Sequence, residues 1–309
     1  MRSKAELGEA ISKDGRAVLI VNARSRRGGR NYEAARALLL DRGFTLLGAF
    51  PVTKPKHLPR AIGQALDLAP DLVVVGGGDG TLATAVGRLA HLDIAMGVLP
   101  LGTTNNFARS LGVPMSLAGA IRVLREGKVA DVDLGQAEDE IFANMASFGL
   151  SVEVASRVPP LLKRVIGRPA YMLTAARSLP GHHPFHVRMT VDGVLHEFDT
   201  HQLNIANGAF HHGLKIASDA TPDNRRLSIY RLGDSHRLQL TYATLRHVIF
   251  GPRRTLAEHA FLSGSEITVE TDPPLPLSVD GEVRLRTPVR VSLAPNALRV
   301  MVPMEFDDT

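Results

Sequence analysis

The chain has 309 residues, 44% hydrophobic and 22% charged, with 36 Lys and Arg against 31 Asp and Glu and a formal net charge of +5. That length exceeds the roughly 250–300 residues at which single cores stop growing, so two domains are expected. The chain has no cysteine, which excludes disulfides, cysteine-ligated zinc and thiol catalysis, and no apolar run reaches the ~20 residues of a membrane span.

The first 15 residues are polar and charged with no apolar core, so the expectation is a cytoplasmic protein without a secretory signal. From there strand and helix patterns alternate. Residues 17–22 (AVLIVN) read as a buried strand, and 31–43 as a helix stopped by Gly43. Residues 44–50 form a second strand, and 57–69 a helix ended by Pro70. The valine run at 72–75 is a third strand, followed by Gly76-Gly77-Gly78-Asp79-Gly80 and a helix over 81–90; a fourth strand covers 94–102. This rhythm predicts parallel strands with crossover helices, and a ligand at the carboxyl ends of the strands.

Beyond about residue 135 short alternating runs take over: 185–191, 201–207, 226–232, 266–270, 276–285, 289–293 and 298–302. Asp192-Gly193 and Asp280-Gly281 sit between such runs as tight hairpin turns, and a helix over 238–250 interrupts the series. The fold class is therefore an α/β domain with a parallel sheet over 1–135, followed by a mainly antiparallel β domain over 136–309, whose last strand is free to return to the first domain.

Three strand-ending segments of the first half share one edge of the expected sheet: 21–29 (VNARSRRGG), the glycine turn, and 99–112 (LPLGTTNNFARSLG). Singly, each has an ordinary structural explanation in turn geometry or helix capping. Together they supply backbone N–H groups, hydroxyls and amides suited to a nucleotide phosphate chain without a P-loop lysine. Asp79 is out of place beside a phosphate unless Mg²⁺ lies between them; otherwise it caps the helix that follows. The arginines at 24, 26, 27 and 30, and at 225, 226 and 231, are a solvated surface, a contact for a polyanionic nucleotide, or a contact for an anionic membrane face. Nucleic acid is not expected, because no basic patch is interleaved with aromatics.

GGGDGT after a valine strand, LPLGTTNNFARSLG some twenty residues on, VDLG at 132–135 and SVDGEV at 278–283 follow one another here in an order that resembles the diacylglycerol kinase catalytic-domain family. That family includes bacterial lipid kinases and sphingosine kinases. The glycine turn is shared with NAD kinases, whereas the Leu-Gly-Thr-x-Asn-x-Phe segment resembles the lipid branch. The resemblance implies transfer of the γ-phosphate of ATP to a lipid hydroxyl at a membrane surface, with diacylglycerol giving phosphatidic acid as the first acceptor to consider. It implies nucleotide contacts at Asn22, Thr53, Gly77, Gly78, Asp79, Gly80, Thr81 and Thr103, with Asp79 facing the metal–phosphate region and Glu282 as general base. Without it, Glu282 is an ordinary strand residue after a hairpin turn.

Two positions depart from the family pattern. Asn106 stands where many members carry aspartate. At 218–230 a segment that resembles a structural magnesium site offers Asp223, with Asn224 in place of a second aspartate and Arg225 in place of a glycine. Asp133 belongs to the same polar network or marks the domain boundary. Adjacent histidines at 182–183 and 211–212 are poor joint metal ligands, because neighbours on a strand point to opposite faces. The apolar and basic stretch 158–179 is a core helix, or part of a lipid entrance resting on the inner membrane face. Two other readings remain: an NAD kinase-like enzyme, and a catalytically weak regulator binding nucleotide or lipid. The oligomeric state stays open.

Overall fold

A computed structural model describes residues 2–24, 26–158, 174, 177, 182–207, 210–211, 214–215, 225–232 and 261–308. The first half contains α1 (Lys4–Asp14), β1 (Arg16–Asn22), α2 (Arg26–Asp41), β2 (Thr45–Val52), α3 (Leu58–Leu66), β3 (Leu72–Gly77), α4 (Asp79–Leu89), β4 (Ala95–Pro100), α5 (Asn106–Ser110), α6 (Leu117–Glu126) and β5 (Lys128–Ala137). Next come β6 (Glu140–Phe142), β7 (Met145–Gly149), α7 (Leu150–Arg157), β8 (Phe185–Val191), β9 (Val194–Thr200), β10 (Gln202–Ala206), β11 (Phe210–His211) and β12 (Leu214–Lys215). The described chain ends with β13 (Leu227–Leu232), β14 (Leu262–Gly264), β15 (Glu266–Asp272), β16 (Pro276–Val279), β17 (Glu282–Arg286) and β18 (Val289–Val302).

Strands β2, β1, β3 and β4 pair in parallel in that order, as the strand–helix alternation predicts. Their interiors are continuous apolar runs, with Val18 to Val21, Leu72 to Val75 and Leu99 all buried. Sheets covered by helices on both faces need such runs. The sheet does not stop at β4. Strand β18 pairs in parallel with β4 through Arg299 and Val300, and antiparallel with β5 and β15, and β8 and β9 extend the far edge. The two sequence runs 289–293 and 298–302 are thus one strand, bent where its register against β5 shifts between Ala294 and Leu298. Asn296, at φ 50°, sits in that irregularity. A bulge of this kind lets one strand serve two differently twisted halves.

A six-stranded antiparallel sheet, β14-β13-β10-β7-β16-β17, packs on the far part of the long sheet. Phe148, Leu203, Ile205, Ile229 and Leu277 meet Val187, Met189, Ile267 and Val291 in that second core. Both Asp-Gly turns take positive φ at both residues, 46° and 86° at 192–193, 46° and 93° at 280–281, the geometry that joins twisted strands through two residues. Helix α1 is an addition to the sequence reading: Ser3 and Glu6 form a reciprocal capping box, and Leu7 and Ile11 bury one stripe. The helix expected over 238–250 lies outside the described residues.

Candidate active site

The carboxyl ends of the parallel strands form one edge. Asn22 closes β1 opposite Val52 of β2, and Gly77 closes β3 opposite Pro100 of β4. The Asn22 amide donates from Nδ2 to the Thr81 hydroxyl at 3.1 Å and accepts the Arg24 N–H at 3.3 Å. It therefore ties the β1 turn to the start of α4. The glycines are required by close approach. A Cβ on Gly77 would lie 2.5 Å from the Thr81 Cβ, and one on Gly102 would lie 2.4 Å from the Gly78 Cα. The turn after β3 and the loop after β4 thus touch backbone to backbone.

Gly78 is the N-cap of α4 and offers no side-chain cap. The Thr81 N–H turns back to the Gly78 carbonyl at 2.9 Å, so it is the N–H groups before it, with the positive dipole end, that this helix presents to the sheet edge. Asp79, the first residue of α4, does not cap its own helix. Its Oδ1 accepts the N–H groups of Asn106 at 2.6 Å and Phe107 at 3.4 Å, and its Oδ2 accepts the Thr104 hydroxyl at 2.5 Å. It caps α5, which follows the next strand. Asn105 shapes the same loop from inside: buried and at φ 49°, it accepts the Gly102 N–H at 2.9 Å and donates to the Gly102 carbonyl at 3.1 Å. Thr104 and Asn105 are not among the residues that the sequence singles out, although both lie in the quoted segment. Their partners are distant along the chain or in the backbone, where residue type alone gives no signal.

The second half meets the helices that leave this edge, with β6 packed on α4 and β11 packed on α5. Asp280 anchors the last hairpin, accepting the N–H groups of Ala143 at 2.8 Å and of Asn144 and Met145 at 3.0 Å each. Burial pushes the Asp280 carboxyl above the usual range, against the pull of those N–H groups. Glu282 leaves this fixed turn with an exposed side chain. Its Oε2 accepts from Arg284 at 2.7 Å, and Arg284 also donates to Oε2 of Glu140 on β6 at 3.0 Å.

Asp133 is buried at 1% exposure, and its Oδ1 accepts the Asn296 N–H at 2.9 Å, inside the β18 irregularity. Its Oδ2 accepts the Arg225 N–H at 3.2 Å, and the Arg225 guanidinium lies 3.7 Å from Oδ1. Asp133 therefore joins β5, β18 and the turn before β13.

Of the residues the sequence points to, the fold gathers Asn22, Gly77, Gly78, Asp79, Gly80 and Thr81 at the sheet edge, with Thr53 just beyond β2 and Thr103 beside Gly102, both exposed. Asp223 and Asn224 lie outside the described residues, as do His212 and most of 158–179. His182 is a structural residue, bonded to Glu153 at 2.8 Å and stacked at a tilt on His201. No group of three His, Cys, Asp or Glu side chains capable of holding a metal occurs among the described residues. Two N–H groups occupy Oδ1 of Asp79, while Oδ2, bonded only to the Thr104 hydroxyl, keeps a lone pair, which fits a Mg²⁺ arriving with a nucleotide's phosphates rather than one held in a protein cage.

Comparison with known proteins adds to this geometry. The family profile for the diacylglycerol kinase catalytic domain matches residues 16–137, and that for the YegS C-terminal NAD kinase beta sandwich-like domain matches residues 144–302. A relative named "Probable lipid kinase YegS-like", from Enterobacter sp. (strain 638), is 30% identical over 79% of this chain and 82% of its own. A crystal structure of a diacylglycerol kinase from Bacillus anthracis str. Sterne superposes with a TM-score of 0.73 at 24% identity, covering 94% of this chain and 98% of that one. At that identity the superposition speaks for the fold. The chain belongs to the diacylglycerol kinase catalytic-domain family, in its YegS-like lipid kinase branch. Membership carries a kinase-type activity with ATP as phosphoryl donor.

Proposed function

We propose that this chain transfers the γ-phosphoryl group of ATP to a hydroxyl of a membrane lipid, with diacylglycerol as the first acceptor to test and phosphatidic acid as its product. The observation that carries the reading is the contact between Gly78 and Gly102, which only glycines allow. It places the uncapped N-terminus of α4 and the loop at 102–104 around one point of the sheet edge.

In this reading Gly77, Gly78 and Gly80 bind the phosphates through main-chain N–H groups, and Thr81 through its hydroxyl. Asn22, Thr53 and Thr103 border the nucleotide. Preorganised donors of this kind offset the charge of a transferring phosphoryl group without reorganising during reaction. Mg²⁺ bound with ATP would be met by Asp79 and would neutralise phosphate charge. Glu282 takes the proton of the acceptor hydroxyl, a poor nucleophile near neutral pH. The protein works from the cytoplasmic side, touching the membrane only peripherally.

The test is to incubate the protein with γ-labelled ATP, Mg²⁺ and either mixed lipids or NAD. Label in the organic phase supports the lipid kinase reading, and label on NAD supports an NAD kinase-like enzyme. ATP binding without transfer to either means a catalytically weak regulator.

A further inference from the structure

The Glu282 side chain begins β17 directly after Gly281, is 66% exposed and has three rotatable torsions. An exposed carboxylate of this kind samples many rotamers, and holding it in one costs side-chain entropy. A general base must instead meet a single proton at about 2.6–3.2 Å, so something has to hold it. The hairpin supplies a candidate two residues on: Arg284 is the extra residue of a bulge in β17, between Val283 opposite Ser278 and Leu285 opposite Leu277, and a bulge re-aims the side chain it carries. Arg284 donates from one nitrogen to Oε2 of Glu282 at 2.7 Å and from the other to Oε2 of Glu140 at 3.0 Å. Its guanidinium is drawn further toward the charged form by Glu282 first and by Glu140.

The three residues come from two sheets. Glu282 and Arg284 lie on β17, the edge strand of the six-stranded sheet, while Glu140 lies on β6, a branch of the long sheet. Strand β6 packs on α4, the helix that Asp79 opens. Arg284 therefore ties the glutamate to a strand of the second half that packs on the phosphate-binding helix. The other oxygen of Glu282, Oε1, has no hydrogen-bond partner among the described residues. A planar guanidinium can grip two carboxylates at fixed angles; a lysine ammonium cannot.

We infer that Arg284 is a positioning residue, which, anchored by Glu140, holds one oxygen of Glu282 and leaves the other free to take the proton of the acceptor hydroxyl. This rests on the reading of Glu282 as the base. In the transfer, the O–H bond of the acceptor breaks toward Oε1 as its oxygen forms a bond to the γ-phosphorus, and ADP leaves with the former bridging oxygen. A base held by a third group is a recurring device of nucleophile activation. The ordinary alternative is an exposed ion pair, with little effect on anything.

The experiment measures label transfer from γ-labelled ATP to phosphatidylcholine vesicles carrying diacylglycerol, monoacylglycerol, ceramide and phosphatidylglycerol. It compares the wild type with Glu282→Gln, Arg284→Ala, Arg284→Lys and Glu140→Gln, with thermal midpoints as a folding control. Arg284→Ala is expected to lower kcat about tenfold with both KM values unchanged, Arg284→Lys to recover part of that loss, and Glu140→Gln to lower kcat by a smaller factor. All are expected to keep the wild-type melting temperature within about 2 °C. If Glu282→Gln is inactive while Arg284→Ala and Glu140→Gln keep kcat within twofold of wild type, the pair is only surface electrostatics and the inference is overturned. If Glu282→Gln itself turns over normally, or the wild type labels no lipid, the underlying reading fails and takes the inference with it.

Discussion

The carboxylate of Asp79 lies 2.6 Å from the main-chain nitrogen of Asn106, so the residue that opens α4 caps the helix following the next strand. One side chain thereby fixes the distance between the two loops that face the proposed phosphate site. Cap and charge can be separated. Asp79→Ala removes both, and loss of the cap costs about 1–2 kcal/mol. Asp79→Asn keeps one oxygen for the Asn106 N–H, while the Thr104 hydroxyl turns to accept from the new amide. The expected outcome is near wild-type stability for Asp79→Asn by denaturant titration, with phosphoryl transfer reduced by more than a hundredfold in both variants. A fully active Asp79→Asn protein would confine Asp79 to a structural role.

Gly102→Ala tests the contact between the loops. The added Cβ would lie 2.4 Å from the Gly78 Cα, and backbone cannot yield as a side-chain tip can. The loops are expected to separate, at a cost of about 1–3 kcal/mol and with ATP affinity at least tenfold weaker by calorimetry. Gly80→Ala is the control for stability. Its Cβ would meet nothing within 4 Å, and the site lies in a helix, so the substitution should be neutral or stabilising by up to ~1 kcal/mol.

Strand–helix alternation and valine-rich runs are enough to read the parallel sheet, because burial on both faces leaves only apolar residues in those strands. The two Asp-Gly turns are equally plain, since few residue pairs tolerate positive φ twice. Helix α1 escapes the sequence reading although Ser3, Glu6, Leu7 and Ile11 carry its cap and its stripe; charge at the chain start masks a short amphipathic pattern. Runs 289–293 and 298–302 look like separate strands because Pro295 and Asn296 interrupt the alternation, whereas pairing with β5 on both sides joins them. At the site, the glycine turn is visible but the partners of Asp79, Asp133 and Asp280 are not. Those lie 27, 163 and 137 residues away, at Asn106, Asn296 and Ala143. A hydrogen bond to a remote backbone N–H leaves no trace in residue type.

Arg225 holds a left-handed backbone, φ 59°, while its N–H and guanidinium both serve Asp133. Replacing it separates strain from contact. Arg225→Ala loses the guanidinium and keeps the strain, whereas Arg225→Gly loses the guanidinium and relieves it, a difference of about 1–2 kcal/mol for a left-handed residue. The pair is half open to solvent on the arginine side, so its own contribution is about 1 kcal/mol. Urea midpoints should therefore rank Arg225→Gly at or above wild type, and both above Arg225→Ala. Equal midpoints for the two variants would mean that the turn is unstrained.

The two hairpin aspartates should respond to pH with opposite sign. Asp192 accepts the N–H groups of Glu266 and Ser265, which hold its carboxyl below the ordinary range despite some burial. The unfolded chain then binds the proton more readily, so the stability Asp192 contributes is present above the unfolded pKa and is lost as pH falls through the folded one. Asp280 accepts three N–H groups in the same way, but burial dominates and raises its carboxyl. In the window between the unfolded value and that raised one the folded protein holds the proton, so its contribution declines as pH rises. Melting temperatures of wild type, Asp192→Asn and Asp280→Asn from pH 3 to pH 8 check this directly. Relative to wild type, Asp192→Asn should flatten the loss of stability on acidification. Asp280→Asn, which sets an amide NH₂ against the N–H groups of residues 143–145, should be destabilised throughout, with the gap to wild type narrowing as pH rises through that window. A gap at Asp280 that instead widens with rising pH would show that the three N–H groups, not burial, govern this carboxyl.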